Sequence, residues 1–201
     1  MLRSLPITLA AVSSLAVALI SWRFLALGLE AAFPQMLAHI DHARLAFLAH
    51  VTAAPVGLAL GAFQFMPRLR ARRPRLHRWS GWAYSVAILV AGLGSLAMTA
   101  TTNGGGAAQA GFGVLAVLWI GFTTFALRDA IARRFDAHRR WMMRSYALTF
   151  AAVTLRLWLV PMMGAGMSYE EAIGILAWLS WVPNLVVVEA MLSRRRLRAG
   201  A

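Results

Sequence analysis

The sequence predicts an all-α integral membrane bundle of six transmembrane helices with both termini in the cytoplasm. Of its 201 residues, 60% are hydrophobic and 13% are charged, and the mean hydropathy is +0.66. A soluble domain has about 45–50% apolar and about 25% charged residues. The apolar residues fall into six long runs, and the basic residues concentrate in alternate connections between those runs. Together these observations exclude an ordinary soluble protein.

A helix that spans a membrane needs about 20 mostly apolar residues. Six stretches meet this requirement: 5–27, 45–66, 80–101, 111–131, 141–163 and 172–192. They use about two thirds of the chain and leave only short loops. We therefore expect a single transmembrane domain over residues 1–201, with any chemistry inside the bundle or at its edge.

The orientation follows from arginine, because positive residues near span ends are retained in the cytoplasm. All twenty basic residues are arginines, and with seven acids the formal net charge is +13. Most of them lie in two loops and the C-terminal tail: Arg68, Arg70, Arg72, Arg73, Arg75, Arg78, Arg133, Arg134, Arg139, Arg140, Arg194, Arg195, Arg196 and Arg198. This pattern places both termini in the cytoplasm and loops 28–44, 102–110 and 164–171 outside.

Composition also excludes several classes of function. The chain has no cysteine, which excludes disulfides, thiolate metal sites and thiol nucleophiles. It is too apolar to present the polar basic surface of a nucleic-acid binder. No nucleophile–base pair, phosphate loop or carboxylate dyad occurs at a convincing spacing, so hydrolytic and phosphoryl-transfer chemistry is not expected.

The first run is predicted to be a membrane helix although Arg3 precedes it, as in a secretory signal. The run is longer than the usual 7–15-residue apolar segment of a signal and lacks a small-residue cleavage site before Arg23. In the following loop, residues 34–44 are predicted to form a short interfacial helix. Residues 102–108 are predicted to form a flexible turn.

A polar stripe is predicted on the fifth helix. At 100° per residue, His138 and Arg156 share one line, and Ser145 and Thr149 fall close to it. Ionisable residues within spans usually face the interior of a bundle or a cavity. Alternatively, Ser145 and Thr149 bond carbonyls of their own helix and Arg156 extends towards the outer surface.

The second helix has a similar face that carries His50, Gly57, Gly61 and Gln64. Gly57 and Gly61 form a G-x-x-x-G step, which lets a neighbouring helix, a protein partner or a flat ligand approach closely. With Arg23 and Arg156, His50 is expected in the outer third of the membrane. Such a cluster needs anionic partners, for which the alternatives are Glu30, Asp41, a quinone oxygen and a haem propionate.

Two matching motifs open the third and fifth helices. The third contains His77-Arg-Trp followed by Tyr84, and the fifth contains His138-Arg-Arg-Trp followed by Tyr146. Two imidazoles at matching depth on two helices are what bis-histidine ligation of a haem b requires. Adjacent arginines would pair with the propionates; the candidates are Arg78, Arg139 and Arg144. A second interpretation is interfacial anchoring, in which the His-Arg pairs bind anionic lipid.

Another group of ionisable residues is predicted in the first outer loop. His39 and His42 flank Asp41, a spacing that suits two metal ligands. A third ligand is needed, but a continuous helix places His50 about 16 Å from His39, too far for one ion. A solvated polar loop is the alternative.

The sixth helix contains Pro183 with Asn184 beside it. Proline frees a carbonyl that an asparagine or a water can satisfy, and the resulting kink can shape a cavity. Glu189, near the cytoplasmic end, is expected to form an ion pair with an arginine at the entrance of the fifth helix. Asp129 and Asp136 are also expected to form structural ion pairs.

Three sequence stretches carry a resemblance to a known family. They are RLHRWSGWAY at 75–84, HRRWMMRSYALTFAAVTLR at 138–156 and WLSWVPNL at 178–185. Over residues 45–192 the chain resembles a bacterial family of predicted multi-pass membrane proteins catalogued as a domain of unknown function. The resemblance implies a multi-pass protein of the bacterial inner membrane.

A more distant likeness is to cytochrome b561-type proteins, six-helix electron carriers with paired haem-ligating histidines. His50, His77 and His138 fall on the second, third and fifth helices, as that pattern implies, whereas the fourth helix has no histidine. The likeness therefore implies one complete pair, His77 with His138, and one haem.

These observations support three hypotheses. The first is an inner-membrane protein that binds one b-type haem, or a quinone-like redox ligand, near the cytoplasmic face for electron transfer. The second is a non-enzymatic accessory or assembly protein that holds anionic lipid and docks a partner through the face of Gly57 and Gly61. The third is a small-anion transporter that uses Arg23, His50 and Arg156.

Overall fold

The structure is a computed structural model that describes the backbone of residues 5–199 and the side chains of residues 8–66 and 69–194. These residues form the following α-helices: α1 Leu5–Ser21, α2 Phe24–Leu27, α3 Leu29–Ala32, α4 Leu37–His42, α5 Arg44–Gln64, α6 Pro67–Arg72, α7 Pro74–Ala97, α8 Gly105–Ile131, α9 Phe135–Thr149, α10 Ala151–Gly164, α11 Tyr169–Leu179 and α12 Val182–Ala199. Short 3₁₀ helices occupy Pro34–Met36 and Thr99–Thr101. Residues 5–199 contain no strand, which confirms the all-α class.

The structure confirms six helical stretches long and apolar enough to cross a membrane. They are Thr8–Leu27, Arg44–Gln64, Pro74–Ala97, Gly105–Ile131, Phe135–Gly164 and Tyr169–Arg194. The orientation of the termini stays a prediction, and the side chains of Arg68, Arg195, Arg196 and Arg198 lie outside the described ones.

Three helices begin six residues earlier than the apolar runs indicated: α7, α8 and α9, the last of these at Phe135. Helix α7 begins at Pro74, where a proline occupies its first turn, and α8 begins at Gly105 after left-handed Gly104. Proline is favoured at a helix start because its missing N–H has no partner there in any case. Hydropathy marks the apolar part of a helix and misses the polar turns that extend it, so His77 lies inside α7 and the predicted turn is shorter.

Three of the spans are interrupted. The first breaks between α1 and α2, next to Arg23, the fifth between α9 and α10 at Phe150, and the sixth between α11 and α12 at Ser180 and Trp181. In the sixth span Pro183 follows the break and cannot donate a backbone hydrogen bond to the preceding turn. The predicted kink near Pro183 is therefore present as a break between two helices.

The chain divides into two compact units, Met1–Thr102 and Asn103–Ala201. In the first unit α5 packs against both α1 and α7. The crossing of α5 and α7 is close at Gly94, where an added Cβ would lie 2.5 Å from the Ala46 oxygen. Gly57 also faces α7, where an added Cβ would lie 2.6 Å from Cδ1 of the Ile88 side chain. The small-residue face of α5 is therefore used within this unit, and a partner on that face stays a prediction.

In the second unit α8 packs against α9 and α11, and α12 packs against α9. Helices α8 and α11 cross at Gly111, where an added Cβ would lie 2.8 Å from the Ala177 oxygen. The Trp178 indole donates a hydrogen bond of 3.0 Å to the Ala107 oxygen nearby. Small residues let two backbones approach and pack closely, as is common between membrane helices.

Candidate functional site

His138 lies in the first turn of α9, facing the end of α8. Its Nδ1 is 2.8 Å from the backbone oxygen of Ala126. A carbonyl oxygen can only accept, so Nδ1 carries the hydrogen and, in the neutral ring, Nε2 carries the lone pair. Such a second bond fixes the tautomer and orientation of metal-ligating histidines. His138 is therefore prepared to act as a ligand or a proton acceptor through Nε2.

Arg144, one of the predicted anion partners, is already paired with a carboxylate. Its Nε lies 2.5 Å from Glu189 Oε1 and its Nη2 lies 2.8 Å from Glu189 Oε2. Its guanidinium also lies over the Trp141 ring, 4.8 Å from the centroid. This confirms the ion pair expected between Glu189 and an arginine of the fifth helix. Arg139, by contrast, is exposed.

The other predicted cofactor residues differ in exposure. His77 is half-buried in the first turn of α7, Arg78 is exposed, and Tyr84 is completely buried in the first unit. Tyr146 of α9 is half-buried and its ring lies 6.3 Å from that of Phe150. Ligation of one iron by His77 and His138 stays a prediction.

Ser145 and Thr149, two members of the predicted polar stripe on α9, face α8. Ser145 Oγ lies 2.7 Å from Thr123 Oγ1, and the Trp119 indole donates a 2.9 Å hydrogen bond to Thr149 Oγ1. Thr149 in turn donates to the Ser145 carbonyl of its own helix. All four side chains are buried. Because their bonds are made among themselves, this group holds α8 against α9.

Thr123 and Trp119 were not identified from the sequence as members of this group. They lie four residues apart on α8, a spacing that places them on the same helix face. That spacing is the signal in the sequence, but it is weak, because Thr124 beside Thr123 is also polar and points away from this group.

Arg156 and Asn184 also find partners within the second unit. Arg156 Nη1 donates a 2.8 Å bond to the Ala152 oxygen one turn earlier. Asn184 Nδ2 donates to Ser180 O at 3.0 Å and to Ala147 O at 3.3 Å, and it lies 3.0 Å from Thr154 Oγ1. The amide therefore joins α12 to the break before it and to α9.

Asp129 forms the second predicted ion pair, at the end of α8. Its Oδ1 accepts hydrogen bonds from Arg134 Nε at 3.0 Å and Nη2 at 2.6 Å. Asp129 is buried whereas Arg134 is exposed, and Arg133 between them has a left-handed φ of 57°. The pair therefore fixes the tight connection from α8 to α9, just before His138.

At the N-terminal end of α5, His39 and Arg23 lie against a largely apolar cluster. Arg23 Nη2 donates to the Ala32 oxygen, and its guanidinium lies 4.8 Å from the centroid of Phe33. His39 is 6% exposed, and its Nδ1 lies 2.5 Å from Thr101 Oγ1. Arg23 thus uses a carbonyl and an aromatic ring rather than the carboxylates named from the sequence.

The chain between His39 and His50 is not one continuous helix. It breaks at Ala43, between α4 and α5, and α4 contacts α5. Burial, and secondly the positive charge of protonated His50, lowers the pKa of His39. The continuous helix for which a 16 Å separation is expected is therefore not formed, because Ala43 is not helical.

His50 and Gln64 each join α5 to α7. His50 Nδ1 donates a 2.9 Å bond to the Ala91 oxygen, and Gln64 Nε2 donates a 2.7 Å bond to Ser80 Oγ. The close crossing at Gly94 brings the α7 backbone within reach of His50. Within the described residues, no group of three or more His, Cys, Asp or Glu side chains could hold a metal ion.

One family matches most of the chain. It is described as "Predicted membrane protein (DUF2306)" and matches residues 47–192. This confirms the resemblance to a family of unknown function, while the likeness to cytochrome b561 stays a prediction. No curated protein and no solved structure matches the chain.

Proposed function

The chain belongs to the DUF2306 family of predicted membrane proteins, and from this premise we propose that it binds one b-type haem for electron transfer. His138 would hold the haem iron, at the end of the bundle predicted to face the cytoplasm. The observation that carries the proposal is the 2.8 Å bond from His138 Nδ1 to the Ala126 oxygen. It orients the ring and leaves Nε2 as the basic nitrogen.

The donor chemistry favours haem over the quinone-like alternative. A haem iron takes the lone pair of a neutral imidazole, which His138 Nε2 carries. The carbonyl oxygen of an oxidised quinone accepts hydrogen bonds and needs a donor, and Nε2 of neutral His138 is an acceptor. A reduced quinol hydroxyl does suit this nitrogen, so a quinone-like ligand is the second candidate in its reduced form only.

The anionic groups of a haem need basic partners. Because Glu189 already pairs with Arg144, we assign a propionate contact to Arg139, the exposed arginine next to His138. A bound haem supplies one-electron redox chemistry. The chain holds the ligand ring in place through the Ala126 carbonyl.

An optical spectrum tests the proposal. The full chain is purified from haem-replete cells, and oxidised and dithionite-reduced spectra are compared for the wild type, His138→Ala and the control His42→Ala, which removes an exposed histidine. We expect a Soret band in the wild type and the control, and its loss in His138→Ala. His77→Ala, at the second predicted ligand, is expected to lose or shift the band.

Two results would overturn the haem proposal. One is a wild-type protein without a Soret band, and the other is a band that His138→Ala leaves unchanged. Extraction of the same samples for isoprenoid quinones tests the second candidate, since a quinol held by His138 is retained by the control and lost from His138→Ala.

A further inference from the structure

An arginine-lined cleft lies between α6 and α7 of the first unit. It has a volume of about 450 Å³ and is lined by Arg72, Arg73, Pro74, Arg75 and Leu76. Arg73 separates the two helices with φ −135° and ψ 62°. All five lining residues are exposed.

The cleft has no carboxylate of its own. The sequence contains no Asp or Glu between Asp41 and Asp129, and Asp41 precedes α5 whereas the cleft follows it. The 21 residues of α5 separate the two by about 30 Å. In the described part of the chain, the ion pairs involve Arg128, Arg134 and Arg144 and no arginine of the cleft. Its positive charge is therefore left for a ligand to neutralise.

The lining favours one chemical class of ligand. Guanidinium groups bind phosphate through paired hydrogen bonds, which adds geometric specificity to charge. The cleft also opens beside apolar side chains, because Leu76 is 54% exposed and Trp79 on the next turn is 76% exposed. A free phosphate makes no apolar contact with these side chains, whereas the acyl chains of a phospholipid can pack against them.

We propose that this cleft is a phosphate-binding site for the headgroup of an anionic phospholipid, held by Arg72, Arg73 and Arg75. Leu76 and Trp79 contact the first carbons of the acyl chains. The site is independent of the histidines, and it gives the arginine-rich connection a role in binding as well as in orientation.

Lipid binding to the purified full chain in a neutral detergent tests the site. Phosphatidylglycerol is titrated, and bound lipid is counted by native mass spectrometry for three proteins. These are the wild type, the triple variant Arg72→Gln/Arg73→Gln/Arg75→Gln and a matched control, Arg133→Gln/Arg140→Gln/Arg194→Gln. The control removes the same charge from the second unit. Each arginine that contacts the lipid is expected to contribute about fivefold in affinity, so the triple variant should bind about 100-fold more weakly than the wild type. The control, whose arginines lie outside the cleft, should bind as the wild type does.

Two further measurements distinguish a lipid phosphate from a soluble phosphate, and loss of the site from loss of the folded protein. Inorganic phosphate at millimolar concentration should not displace the lipid; equal binding of inorganic phosphate would keep the phosphate site but assign it a soluble ligand. The variant Arg72→Lys/Arg73→Lys/Arg75→Lys keeps the charge and is expected to retain part of the affinity. Equal lipid binding by the glutamine variant and the control would overturn the proposal.

Discussion

Breaking the pair between Arg144 and Glu189 is expected to destabilise the second unit measurably. The two side chains form a bidentate contact, and they are 14% and 46% exposed. Unit charges about 4 Å apart attract by about 1 kcal/mol in water and by about 4 kcal/mol at an effective dielectric constant of about 20. Since Glu189 is nearly half exposed and desolvation of Arg144 opposes the gain, we expect a coupling energy of about 1–2 kcal/mol.

A double-mutant cycle measures this coupling. Arg144→Met, Glu189→Gln and the double variant are unfolded by titration of a denaturing detergent into mixed micelles, and free energies of unfolding are compared. Arg139→Met, which removes an exposed arginine of the same helix, should change stability by less than about 0.5 kcal/mol. A coupling energy below about 0.3 kcal/mol, the usual error of additivity, would refute the reasoning and leave Arg144 available for another anion.

Three other perturbations test the packing and the polar contacts. Gly94→Leu, which places a side chain 2.5 Å from the Ala46 oxygen, should lower stability by about 1–3 kcal/mol or more; an unchanged melting temperature would contradict the close crossing. The pKa of His39 is lowered in the folded chain, so as the pH falls the unfolded chain binds a proton at His39 before the folded chain does. The free energy of unfolding should therefore be at its full value above about pH 6.5 and decrease below it. His39→Gln should flatten this dependence between pH 7.5 and 5. Trp119→Phe removes the donor to Thr149 and should lower the unfolding free energy by about 1 kcal/mol, whereas an equal loss in the Thr149→Val background would show that the two do not interact.

The shared face of Ser145 and Thr149 could be predicted because helical periodicity is a local property. Ser145 and Thr149 are one turn apart and their spacing alone puts them on one face. Their partners Thr123 and Trp119 come from another helix, and no local rule states which helix packs on that face. The spacing in the sequence therefore predicts which residues share a face of α9, whereas the tertiary structure decides that α8 packs on that face.

The segment before α5 shows what the sequence leaves open. Residues 34–44 are predicted to form a short helix before the second span, and the chain forms α4 there and leaves the helix at Ala43. Ala43 is neither glycine nor proline, so no residue type at this position marks where the break falls. Burial of Phe33, Ile40 and Phe47 in one apolar cluster stabilises the turned segment, and such packing is decided by residues far apart in the chain.

The sequence by itself determined the membrane class and the number of spans. Both follow from the length and apolarity of single segments, because each membrane-spanning helix satisfies its own backbone hydrogen bonds within the bilayer. Only the tertiary structure decided what each polar group contacts: His138 with the Ala126 carbonyl, Arg144 with Glu189, and His50 with Ala91. These contacts depend on where helices cross, and the crossings are set by the fit of small residues such as Gly94 and Gly111 to a neighbouring backbone.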